Sequence, residues 1–288
     1  MDANVWLPAI TAALAIAFFV LLVDQWRMRR RAYQAIWALG ILFFGVAVAC
    51  EAVAAAAGWN EPIYLLWYLT GAVWTAGWLG LGNAFLLGRT RFGFAFALCL
   101  FFAGLFTFLT ARAEPEIYES ASTTAMLYFL VALVLALAVS VETYFQNWRW
   151  PWMAFVGVAG ATVLSIVLVL MADIAEPGYA LDPETGVPTA ELLPPEVRLL
   201  TPFMNVTGAF ALILGAMFSA YVFMPKKRVL AYNIDPNQAG DQFMFNLLIA
   251  PVAIVVNFVA SLPGALKALF TGPVSYTHLR AHETVVRI

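Results

Sequence analysis

Glu51 is the residue best placed for chemistry, because it stands inside a long apolar run, Tyr33 to Ala57, and no neighbouring run contains a basic residue. An ionised side chain at such depth costs several kcal/mol unless it is paired or hydrated, so the neutral acid is the expected resting form. Helical steps put Gly40, Phe44, Ala47, Glu51 and Ala55 on one stripe, mostly small residues that let helices approach closely. Such a carboxyl would answer to protons, meet a cation or contact a small ligand; its bland role is a hydrogen bond to another helix, or a place close enough to the outer surface to be wet.

The next apolar run, Ile63 to Leu87, carries Trp67, Gly71, Trp74 and Trp78 at steps of four, three and four, which places them on one helical face. Three indoles beside a glycine would line an apolar or cationic pocket, with Thr70, Thr75 and Asn83 supplying hydrogen bonds. The same stripe also suits plain helix packing. A short connection makes this run the neighbour of the one holding Glu51. The candidate ligand-binding set is therefore Glu51, Trp67, Thr70, Trp74, Trp78 and Asn83.

The catalytic inventory is otherwise thin. His278 and His282 are the only histidines, and no H-E-x-x-H, G-x-S-x-G or Gly-rich phosphate loop is present. No enzyme activity, metal or cofactor is expected. Cys50 and Cys99 fall within apolar runs and read as small buried side chains rather than a disulfide. A net charge of −2 and arginines confined to loops give no sign of a nucleic-acid partner.

The elements that must hold these residues are membrane helices. The chain is 63% hydrophobic and 11% charged, with mean hydropathy +0.85, outside the range of a soluble domain. Seven runs near the length of a bilayer span read as Trp6 to Val23, Tyr33 to Ala57, Ile63 to Leu87, Phe92 to Ala111, Thr123 to Val141, Trp152 to Ala172 and Pro202 to Phe223. A weaker eighth, Phe243 to Leu262, is interrupted by Asn246, Pro251 and Asn257. The expected fold is all-α: a polytopic transmembrane helical bundle of seven spans plus an eighth. Its segments are a bundle over 1–224, a cytoplasmic linker over 225–242, the eighth helix over 243–272 and a tail over 273–288.

Basic residues are retained on the cytoplasmic side, and here they occupy alternate loops: Arg27 and Arg29 to Arg31, then Arg89 and Arg91, Arg149, and Lys226 to Arg228. The opposite loops are acidic and hold only Arg112 and Arg198. The amino terminus is expected outside a cytoplasmic (inner) membrane. Trp6, Trp26, Trp59, Trp148, Trp150 and Trp152 fall at run ends and read as interfacial anchors. Asp24 and Glu142 are expected to reach the interface beside arginines. Asn205, Gly208, Gly215 and Ser219 form a packing face, with Pro202 expected at its helix start. The Asn205-Val-Thr207 sequon lies at the membrane boundary and reads as coincidental.

The basic first loop, the intramembrane Glu51 and the Trp67-Tyr68-Leu69-Thr70-Gly71 pattern resemble the seven-helix sensor region that precedes bacterial histidine kinases, over about the first hundred residues. The chain also resembles bacterial multi-pass membrane proteins whose family carries no established activity. The resemblance implies a sensory or small-ligand-binding module in lipid, with a small ligand or another membrane protein as partner. A proton- or cation-coupled transporter component and a structural membrane subunit are the competing classes. Microbial rhodopsins need a lysine in the seventh helix, and Pro202 to Phe223 has none. From Val274 to Thr284 the chain resembles the translation of a transposase-end adapter used in sequencing libraries, which implies that the native sequence continues differently beyond Gly272.

Overall fold

The computed structural model describes residues 3–172, 188 and 192–223. The linker, the eighth run and the tail over 273–288 lie outside the described residues. The chain divides into two compact units, Met1–Leu212 and Ile213–Ile288, and of the second only the last turns of one helix are described.

Long apolar runs without alternating polarity form helices, because a helix satisfies its own backbone in a medium that offers no hydrogen bonds. In order these are α1 (Ala3–Arg29), α2 (Ala32–Ala57), α3 (Glu61–Trp67), a π-helical segment (Tyr68–Trp74), α4 (Thr75–Leu86), α5 (Phe92–Ala113), α6 (Pro115–Tyr118), α7 (Ser122–Tyr144), α8 (Trp150–Leu170) and α9 (Pro195–Phe223). Among the described residues six helices are long and apolar enough to cross a membrane: α1, α2, α5, α7, α8 and α9. Large apolar side chains point outward along them, including Leu7 and Leu21 on α1 and Val134 and Leu137 on α7. In water such surface would be covered; in lipid it meets hydrocarbon. The protein is a polytopic, α-helical membrane protein.

The third apolar run is helical from Glu61 to Leu86 but not as one α-helix. Asn60 opens it by accepting the Ile63 amide on Oδ1 at 3.0 Å, with Pro62 in the first turn. The i→i+5 turns of Tyr68–Trp74 then widen the helix midway. Both the amide and the hydroxyl of Thr75 donate to the Thr70 carbonyl, the hydroxyl at 2.6 Å.

Turns between helices are closed by residues suited to them. Arg30 takes a left-handed conformation (φ 52°), donates its amide to Trp26 O at 2.7 Å and lays its guanidinium 5.2 Å from the Trp26 ring. Gly58 (φ 88°) ends α2, where a side chain would be strained. The two arginines of the acidic loops each stand over a ring, Arg112 over Phe108 at 5.3 Å and Arg198 over Tyr118 at 5.4 Å.

Three expectations need correction. The helix holding Pro202 begins at Pro195, so Pro202 lies inside α9 and removes a backbone bond rather than marking the start. Trp150 is no interfacial anchor: it is fully buried, its indole N–H donates to Gly88 O at 2.9 Å, and its ring packs near Phe92 and Phe96. Glu142 remains within the last turn of α7, half-buried, with Oε2 enclosed and without a hydrogen-bond partner, while Asp24 is exposed. Trp6, Trp148 and Trp152 are about half exposed.

Candidate functional site

Helix α2 and the Glu61–Leu86 segment run antiparallel in constant register. Down their interface Glu51 meets Trp67, Ala47 meets Gly71, Phe43 meets Trp74, and Gly40 meets Leu79. The small residues set this spacing: a Cβ on Gly71 would sit 2.9 Å from Ala47 Cβ, and one on Gly40 would sit 2.8 Å from Leu79 Cδ2. Trp37 fills the space beside Gly82 and donates its N–H to Leu79 O at 3.1 Å.

At the end of this interface next to the α2–α3 turn the Trp67 indole N–H donates to Glu51 Oε1 at 2.8 Å. Trp67 is the carboxyl's one hydrogen-bond partner among the described residues, and both side chains are half-buried. Around Trp67 stand three further rings: Trp59 edge-to-face at 5.4 Å, Tyr64 at 6.1 Å and Tyr68 at 6.3 Å. Tyr64 and Tyr68 are buried, and the Tyr68 hydroxyl pairs with Thr201 Oγ1 of α9 at 2.7 Å.

The other expected site residues go elsewhere. Trp74 donates to Ser165 Oγ at 2.9 Å and Trp78 to Thr162 Oγ1 at 3.0 Å, both on α8. Each of those hydroxyls in turn donates to its own helix, Ser165 to Thr162 O at 2.7 Å and Thr162 to Val158 O at 2.9 Å. Phe43 packs edge-to-face on both indoles, at 5.0 and 6.1 Å. This is a satisfied helix junction. Thr70 donates to Leu66 O at 2.6 Å, so its hydroxyl proton is engaged by its own backbone, as is that of Thr75. Asn83 is buried and donates to Ala211 O of α9 at 3.3 Å. Of the six candidates the structure joins Glu51 to Trp67, while Trp74 and Trp78 bond to α8, Asn83 to α9 and Thr70 to its own helix.

Several polar residues escaped the sequence reading. Thr162 and Ser165, three apart in an otherwise apolar helix, are acceptors for the two inner indoles. Trp59 looked like an anchor but belongs to the cluster around Glu51. Gln34 is fully buried with both amide atoms unpartnered, and Gln25 Oε1 and Thr207 Oγ1 are likewise enclosed without partners. Burial of Thr207 within α9 also removes the Asn205 sequon from any surface loop. Among the described residues no group of three or more His, Cys, Asp or Glu side chains could hold a metal ion.

No protein-family model, no curated protein and no solved structure matches the chain. Fold and site thus define its class directly: a multi-pass α-helical membrane protein with a carboxyl–indole pair at the junction of α2 and α3.

Proposed function

We propose that this protein is a non-enzymatic seven-span membrane module, amino terminus outside a cytoplasmic membrane, that binds a small ligand as a sensor or receptor. The seventh span in this reading is the Glu61–Leu86 segment, whose 26 residues of helix reach about 39 Å at 1.5 Å per residue. The reading rests on one observation: Glu51 is held by Trp67 at 2.8 Å while only half-buried, so the carboxyl is positioned but not sealed. The indole–hydroxyl pairs on α8 differ, because both hydroxyls are buried and engage a helix carbonyl as well as the indole.

The test is Glu51→Gln, whose amide oxygen still accepts the Trp67 N–H. The variant is expected to fold with stability within about 1 kcal/mol of the native protein and to lose ligand-induced thermal stabilisation. Loss of proton or cation flux in proteoliposomes would instead make the protein a transporter component. Instability without any change in binding or flux would leave Glu51 a structural residue.

A further inference from the structure

We propose that the ligand of the Glu51 site carries an organic ammonium group, seated in the corner formed by Trp59 and Trp67 against the Glu51 carboxyl. The inference rests on the ligand-binding reading above and names the chemistry that this site recognises. The rings of Trp59 and Trp67 meet at 71° with centroids 5.4 Å apart, giving two walls of a corner rather than a stack. Both residues are half-buried, as is Glu51, so the corner is reachable from the outer end of the bundle. Glu51 Oε1 is taken by the Trp67 N–H, whereas Oε2 has no hydrogen-bond partner among the described residues and is not among the enclosed, unpartnered atoms.

That N–H···O bond turns the N–H edge of Trp67 toward the carboxyl, beside the corner that Trp67 makes with Trp59. Ring faces attract cations through their quadrupole, and most strongly when the cation is poorly hydrated, as alkylammonium groups are. Among the described residues the indole is the single polar partner of Glu51, and no lysine or arginine occurs between Tyr33 and Gly88 in the sequence. An ammonium group brings the charge that favours the ionised carboxylate, which neither a neutral apolar ligand nor an anion does. The ammonium group could arrive on a free solute or on a lipid headgroup, since the site lies at the end of two membrane helices, beside the α2–α3 turn.

The full chain in nanodiscs of phosphatidylglycerol, which has no ammonium headgroup, would be titrated with choline and with its uncharged carbon isostere 3,3-dimethylbutanol at matched ionic strength. Binding would be read by calorimetry and by thermal unfolding. Choline is expected to bind saturably and raise the unfolding temperature, and the isostere to bind at least tenfold more weakly. Glu51→Gln and Trp59→Leu should each weaken choline about tenfold or more, while Trp59→Phe keeps part of the affinity. The unfolding temperature without ligand reports whether each variant is folded. Repeating the titration in phosphatidylcholine discs separates the sources: loss of the free-choline response identifies the headgroup as occupant, and its persistence identifies a solute.

Equal binding of choline and the isostere, both weakened by Trp59→Leu, would overturn the ammonium assignment and leave the ligand-binding reading standing. Choline binding untouched by both Glu51→Gln and Trp59→Leu, or no binding in phosphatidylglycerol discs, would also overturn the assignment. Failure of both probes in every lipid, with Glu51→Gln unchanged in flux and stability, would count against the ligand-binding reading itself.

Discussion

Substituting Gly208 by valine is expected to destabilise the protein by about 3 kcal/mol or more, enough to lose the folded form in detergent. A Cβ at Gly208 would overlap the carbonyl of Ala76 and lie 2.7 Å from the amide nitrogen of Gly77. These are backbone atoms of the π segment's continuation, α4, and cannot rotate aside. From the other side, a Cβ on Gly80 would sit 2.7 Å from Gly208 Cα. The two helices touch backbone to backbone, which is how membrane helices gain packing when lipid supplies no hydrophobic drive between them. Forcing them apart also loosens the Asn83–Ala211 bond and the fit of Met204 over Gly77. Gly160→Ala is the control: a Cβ there meets nothing within 4 Å, and helix propensity makes the change neutral or mildly favourable. Thermal unfolding of the two variants side by side checks the contrast.

Trp150→Ala is expected to cost about 3–5 kcal/mol, the range for removing a fully buried large aromatic. The side chain is 0% exposed and lies among Phe92, Phe96 and the Gly88 turn. Truncation leaves a cavity and strands the Gly88 carbonyl without its indole donor. Trp150→Phe should restore the packing but not the hydrogen bond, for a loss of about 1–3 kcal/mol. Trp152→Ala, at a position 55% exposed, should fall within about 1 kcal/mol of the native protein. Denaturant unfolding in one detergent orders the three.

The span pattern was legible because hydropathy is a bulk property: seven runs were marked, and six of them coincide with uninterrupted helices long enough to cross a membrane. The third run was marked as well, but its π segment was not, since no residue type in Tyr68–Trp74 specifies i→i+5 bonding. Helix ends were less legible. Pro202 looked like a start because proline suits a first turn, yet Pro195 takes that place and Pro202 is accommodated inside α9. Trp150 and Trp152 are two residues apart and indistinguishable by composition; only the fold buries one and exposes the other.

At the site, helical spacing anticipated that Trp67, Gly71, Trp74 and Trp78 share a side, and all four do meet α2. Spacing says nothing of where an indole N–H points. Trp67 aims at Glu51, while Trp74 and Trp78 aim at hydroxyls of α8, more than eighty residues further along the chain. Such partners depend on tertiary contacts that a local pattern does not encode.

The central claim is that Glu51 lies beside Trp67, near the turn that joins an antiparallel pair of helices. Cross-linking tests it most directly, in native membranes and on a background in which Cys50 and Cys99 are replaced by alanine. With a short bifunctional thiol reagent, the combined substitutions Glu51→Cys and Trp67→Cys should yield an intramolecular cross-link in high yield. Glu51→Cys combined with Trp74→Cys, two turns further along the segment, should yield almost none. A strong cross-link from position 51 to position 74, or none from 51 to 67, would contradict the register on which the site depends.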